Sequence, residues 1–156
     1  MPKDARDSAE RTRLITENRK ARFSFEVLET FEAGMVLVGT EVKTLREGKV
    51  HLDEAYARID GEAIWLVGAH IEEYTHGNRQ NHQPTRKRKL LMKKAQIRKL
   101  EAKVKQKGLT LVPLKLYFNE RGYAKCLVGL CKGRKNFDKR QESQKRDAKK
   151  EIRQHA

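Results

Sequence analysis

The sequence predicts a mainly β fold: an OB-like antiparallel β-barrel of about six strands with two or three helices, followed by a basic C-terminal tail. Three observations carry this expectation. Short apolar segments recur in pairs around turn residues, as in hairpins. Two other segments repeat their apolar residues at helical spacing. Residues 132–156 hold many charges and almost no apolar side chains, so they cannot build a core alone.

Residues 1–17 are polar, with Leu14-Ile15 as the single apolar pair, and read as a flexible arm. Structure is expected from Asn18. Phe23, Phe25 and Val27 alternate, with Phe31 past a bulge near Leu28, as in a half-buried strand. Glu32, Ala33 and Gly34 would form a hairpin loop, and Met35-Val36-Leu37-Val38 the returning strand. Thr40 to Gly48 reads as a short helix, with Thr40 as N-cap, Val42 and Leu45 at i,i+3, and Gly48 as the stop.

Tyr56 to Ile59 and Ala63 to Val67 flank Asp60-Gly61, a strong signal for a tight hairpin. The polar stretch 72–85 reads as a long surface loop. Leu90, Ile97, Leu100 and Val104 share one helical face, with the cations mostly on the others and Gly108 at the end. Leu109 to Phe118 and Tyr123 to Leu130 make the last strand pair around Asn119-Glu120-Arg121-Gly122, and Pro113 argues for an edge or bulge position there. Antiparallel hairpins in this number close most economically into a small barrel, and the OB type is a common nucleic-acid scaffold, with a sandwich as the alternative closure. Residues 18–131 are thus expected as one barrel domain and 132–156 as the tail.

The net charge of +15 is local. Residues 86–107 hold 11 Lys/Arg and one acid, whereas residues 23–85 hold 5 Lys/Arg against 11 acids. A solvated helix face normally interleaves both signs, and here only Glu101 interrupts the run, so a polyanion partner is expected. The run lacks the aromatic anchors of an interfacial helix, which points to nucleic acid rather than a membrane. The N-terminus has no apolar stretch of the signal-peptide kind and no segment is long enough to span a bilayer, so a soluble cytoplasmic protein is expected.

Cys126 and Cys131 lie five apart, on opposite faces of a strand, and read as buried thiols rather than a disulfide or metal pair. His70, His76 and His82 recur every six residues without a fourth ligand, and Glu72-Glu73 has no accompanying nucleophile. Neither a metal, a cofactor nor catalysis is expected. Asn18-Arg19-Lys20-Ala21-Arg22 reads as a phosphate-contacting edge with Asn18 making a directed hydrogen bond. Glu32, on its turn, has the acceptors to meet a base amino group. Phe137 stands among Arg134, Lys135, Lys139 and Arg140, a setting suited to base stacking.

Together and in this order, these segments resemble the SsrA-binding protein (SmpB) family. The resemblance runs from Asn18 to about Glu151. It is carried by Asn18-Arg19-Lys20-Ala21-Arg22, Phe31-Glu32-Ala33-Gly34, the stretch Gly39 to Lys49, Pro84-Thr85-Arg86-Lys87-Arg88-Lys89-Leu90-Leu91, and Lys132-Gly133-Arg134-Lys135-Asn136-Phe137-Asp138-Lys139-Arg140. It implies an OB-type barrel, no catalysis, and binding to the tRNA-like part of tmRNA in trans-translation. Asn18, Glu32 and Leu91 fall on positions the family uses for tmRNA. The wider expected set adds Arg19, Lys20, Arg22, Gly34, Lys43, Arg46, Arg86, Arg88 and Lys89.

The resemblance also implies that Gly133, Arg134, Lys135, Phe137, Asp138, Lys139 and Arg140 act inside the ribosome, against small-subunit rRNA at the decoding centre. There the tail, disordered when free, folds as a helix in the vacant mRNA channel. Alanyl-tRNA synthetase and elongation factor Tu are implied as indirect partners. Two departures stand out. Phe23 and Phe25 occupy positions where the family often has His and Tyr, so any polar contact from them is lost, and the tail has Arg134 and Phe137 where the family commonly has Lys and His or Tyr, so that at Phe137 only stacking carries over. An RNA-processing enzyme or chaperone on an OB scaffold, and a ribosomal structural protein, are the alternative readings.

Overall fold

In the computed structural model, which describes residues 12–76 and 81–133, antiparallel strands close on themselves. The elements are β1 (Arg13–Glu17), α1 (Arg19–Ser24), β2 (Phe25–Met35), α2 (Gly39–Arg46), β3 (Val50–His51), β4 (Tyr56–Asp60), β5 (Ala63–Val67), β6 (His70–Ile71), β7 (Arg88–Leu91), α3 (Lys94–Lys107), β8 (Thr110–Phe118) and β9 (Ala124–Gly133). Strands β8, β4, β5, β7, β2 and β9 follow one another, and β9 pairs back onto β8 to complete a ring, with β1 added on β8. β3 and β6 form a separate two-stranded ladder.

Alternation puts Ile64, Leu66, Leu90, Leu116, Val128 and Leu130 inside the ring, all at most 2% exposed. Ile97 and Leu100 of α3 and Leu45 of α2 extend this core. Burial of this kind, at roughly 25 cal/mol per Å² of apolar surface, is the main force holding the ring closed. A second, smaller cluster of Ala21, Val112, Leu114 and Cys131, with Phe25, Val27 and Leu127 against it, lies under α1 on the outside of the barrel. Cys126 and Cys131 thus face opposite ways, both buried, and burial pushes both thiols up, Cys126 to about 12 and Cys131 to about 11.

The paired segments with a tight turn were legible from spacing. β4 and β5 meet in register from Tyr56↔Val67 to Asp60↔Ala63, with Gly61 at φ 63°. β8 and β9 form the last pair, and the register shift between Pro113 and Lys115 places Pro113 beside a bulge, the kind of position in a sheet that tolerates proline. Gly108 caps α3 in the left-handed region at φ 60°, and α2 runs out into Gly48 at φ 73°.

Several expectations change. Residues 13–17 are a strand and not part of an arm, because β8 offers a partner that sequence position does not reveal. Phe23 is helical, since Asn18 caps a turn of helix before the strand begins. Glu32, Ala33 and Gly34 are not a hairpin loop. β2 runs through them to Met35 as one strand paired with β9 from Phe25↔Gly133 to Gly34↔Lys125. A glycine inside an apolar run mimics a turn, but here it serves close approach: a Cβ at Gly34 would meet Leu91 Cβ at 3.3 Å. α2 takes its N-terminal cap from Glu41 Oε1, which accepts from the Val38 N–H at 3.0 Å, and not from Thr40. Leu90 belongs to β7 and not to the helix, which begins at Lys94.

Candidate nucleic-acid interface

The basic run divides between inside and outside, because β7 alternates. Arg88 and Leu90 point in, while Lys89 and Leu91 point out. Arg88 is 0% exposed and meets the equally buried Glu41 of α2, Nε to Oε2, at 2.6 Å. Its remaining donors reach the carbonyls of Ala69 at 2.7 Å and Pro84 at 2.8 Å. Arg86 donates to both Glu41 oxygens, with its Nε 3.2 Å from Oε2 and its Nη2 on Oε1.

Burial alone would push the Glu41 carboxyl up, but hydrogen bonds from Arg86, the Val38 N–H and Arg88 outweigh it and hold the group below the ordinary carboxylate range. Burial lowers Arg88, Glu41 offsets this, and an arginine stays cationic regardless. Beside this hub the buried His82 donates from Nε2 to the Ile71 carbonyl at 2.9 Å. The Thr40 hydroxyl lies 2.9 Å from Nδ1. Arg86 and Arg88 were expected to contact RNA. The structure instead commits them to tying the loop before β7 onto α2 and β6.

Asn18 is likewise redirected. It was expected on a phosphate-contacting edge, yet it is 2% exposed. Its Nδ2 donates to Leu52 O at 3.2 Å and Pro113 O at 3.0 Å, and its Oδ1 accepts from the Ala21 N–H at 3.1 Å. The side chain caps α1 and joins it to β8 next to the bulge, so no polar atom remains for a ligand. Around it Arg19 is exposed, Lys20 pairs with Glu54 at 2.9 Å, and Arg22 with Glu17 at 3.3 Å. Lys43 stands 5.4 Å over the Tyr74 ring, and Arg46 is exposed at the end of α2.

Glu32, Gly34, Lys89 and Leu91 do come together, on the outer face of β7, β2 and β9. Gly34 sits directly between Leu91 and Lys125 in register. Leu91 is 54% exposed beside an open groove of about 360 Å³ that also touches Met35, Tyr123 and Lys125. Tyr123 is 64% exposed at the end of a turn in which Asn119 Oδ1 accepts from the N–H groups of Arg121 and Tyr123. Tyr117 on β8 donates its hydroxyl to Glu32 Oε2, and Lys115 Nζ lies 5.5 Å over the Tyr117 ring. α1 covers only one end of this outer face, which leaves the other end open.

Lys115, Tyr117, Tyr123 and Lys125 were missed by sequence reasoning. The signal was present, since alternating tyrosines and lysines of one parity in a hairpin are a solvent-facing row. Gly133 ends β9 opposite Phe25, at the far end of β2 from Gly34. That separation is roughly 30 Å at the rise of a strand. Arg134, Lys135, Phe137, Asp138, Lys139 and Arg140 lie outside the described residues. No helix of the described residues is long and apolar enough to cross a membrane.

A closed barrel whose open face gathers aromatic rings, lysines and one acceptor carboxylate beside a groove is, as a class, a nucleic-acid-binding barrel. The chain belongs to the SmpB family, whose model, described as SmpB protein, matches residues 15–156. It is 53% identical over 135 residues to the SsrA-binding protein of Agrobacterium fabrum, covering 86% of this chain and 84% of that one. To the SsrA-binding protein of Desulfitobacterium hafniense strain Y51 it is 50% identical over 148 residues, covering 95% and 94%. A solved chain described under "tmRNA-SmpB: a journey to the center of the bacterial ribosome" is 55% identical, with a TM-score of 0.66, covering 78% of this chain and 85% of that one.

Proposed function

We propose that this protein is a non-catalytic tmRNA-binding factor of trans-translation, holding tmRNA on the open barrel face and acting with it on the ribosome. Family membership over nearly the whole chain supports the ligand. The observation that carries the site is the convergence of Glu32, Gly34, Lys89 and Leu91 with Tyr123 and Lys125 on one exposed face. Lysines there supply phosphate contacts, the rings and groove receive unstacked bases, and Glu32 accepts from a base edge. Of the remaining expected residues, Arg19, Lys43 and Arg46 keep exposed cations for the RNA backbone, whereas Asn18, Arg86 and Arg88 act by holding the fold.

The segment from Gly133 onward works separately, in the mRNA channel of a stalled ribosome, through Arg134, Lys135, Phe137, Asp138, Lys139 and Arg140. The distance between the open face and Gly133 supports two contacts made at once. Alanyl-tRNA synthetase and elongation factor Tu join through tmRNA, in the cytoplasm. The relatives are named for binding, which favours a binding factor over an RNA-processing enzyme on the same scaffold.

Gel-shift titration against the tRNA-like domain of tmRNA tests the first part. Tight, salt-sensitive binding that Glu32→Ala weakens is the expected result, and equal binding by parent and variant sinks the site. A chain truncated after Gly133 should bind the same RNA yet fail to support peptide tagging on stalled ribosomes. Undiminished tagging would remove the tail from the mechanism.

A further inference from the structure

Glu32 is exposed on β2, and Tyr117 lies two strands away on β8. β9 runs between them, pairing Leu127 with both Glu32 and Lys115, and Lys125 with Tyr117. The Tyr117 ring therefore crosses β9 diagonally to bring its hydroxyl onto Glu32 Oε2. Among the described residues no cation lies within ion-pair distance of Glu32, and no other group donates to it. One neighbour alone sets the direction of this carboxylate. An exposed glutamate otherwise samples many rotamers and loses that freedom on binding.

We infer that Tyr117 is a positioning residue: its hydroxyl holds the Glu32 carboxylate in one orientation, leaving Oε1 to accept from the exocyclic amino group of an RNA base. This rests on the reading of Glu32 as an RNA contact. Lys115 Nζ, 5.5 Å from the ring centroid, flanks the phenol. Burial, then the hydrogen bond and charge of Glu32, hold the Tyr117 phenol above its ordinary range, so it is a protonated donor at neutral pH. The chemistry fits a base presenting an amino donor, and a carboxylate cannot serve a phosphate.

The test is a double-mutant cycle on the full chain, read by gel shift against the tRNA-like domain of tmRNA. Tyr117→Phe, which keeps the ring and removes the hydroxyl, should weaken binding about 10- to 20-fold, at the low end of the range for one hydrogen bond to a charged group. Glu32→Ala should weaken it at least as much, and Tyr117→Phe should add nothing in the Glu32→Ala background. Parent-like affinity of Tyr117→Phe overturns the inference. So does an undiminished effect in the Glu32→Ala background, which would mean that Tyr117 touches the RNA itself. An unaltered Glu32→Ala removes both the site and the positioning role. NMR of the protein labelled at the tyrosine ζ carbons gives an independent readout, since Glu32→Gln should move the Tyr117 resonance. An unmoved resonance is incompatible with the contact.

Discussion

Two glutamates, Glu32 on β2 and Glu41 on α2, show how differently one residue type is used in this molecule. Glu41 is fully buried, accepts from two arginines and a backbone N–H, and closes a loop onto the barrel. Glu32 is exposed and meets one tyrosine hydroxyl. The first is a carboxylate whose partners are complete, the second one whose acceptors are still available. Folding uses the complete group, and the incomplete one is the carboxylate that our proposal gives to the RNA.

The largest effect expected from that contrast is at the hub. Glu41→Ala leaves Arg88 buried and unpaired, and should cost about 3–5 kcal/mol of stability in urea unfolding. Removal of Arg88 should cost a similar amount, and any loss of RNA binding should follow the loss of fold. Because the folded Glu41 carboxyl lies below its unfolded value, its contribution is present above the ordinary carboxylate range and is lost as pH falls through the folded value. Acid unfolding followed by circular dichroism should accordingly be less steep in Glu41→Gln than in the parent, relative to each protein's stability at neutral pH.

Asn18→Ala comes next. It removes a helix cap and leaves two buried carbonyls short of a donor, for about 2–4 kcal/mol in thermal unfolding, with tmRNA affinity of the folded fraction unchanged. A weakened affinity without lost stability would reverse the assignment of Asn18 to the fold.

The smallest stability effects belong to the open face. Lys89→Ala and Lys125→Ala should each alter stability by less than about 0.5 kcal/mol. Each should reduce the slope of log affinity against log salt by roughly 0.7 to 0.9 if the lysine meets a phosphate. Arg58→Ala, on a strand away from that face, should leave the slope as it is.

Much of the fold was legible because local chemistry announced it. Asp60-Gly61 signals a tight hairpin, whose two turn residues are Gly61 and Glu62 between the paired Asp60 and Ala63, and Gly108 ends a helix because a left-handed residue is needed there. The long β2 was not legible, because Gly34 carries the same turn signal when its role is to let Leu91 approach. β1 and the Leu90 assignment failed for a related reason. A short strand is stabilised by partners distant in sequence, and the spacing of seven from Leu90 to Ile97 fits a helix by coincidence.

The candidate site was half legible. Glu32, Gly34, Lys89 and Leu91 were found through motif resemblance, and Tyr117, Tyr123 and Lys125 were passed over as parts of a hairpin. By itself the sequence determined that a cation-rich chain with alternating and helical apolar periods would close into a small antiparallel barrel and meet a polyanion. Those properties are set by composition and by neighbours a few residues apart. Only the tertiary structure decided which charges reach the surface. Whether Arg88 points into the barrel and Lys89 out of it depends on strand register, and register is decided by pairing with β5 and β2, whose residues lie far away along the chain.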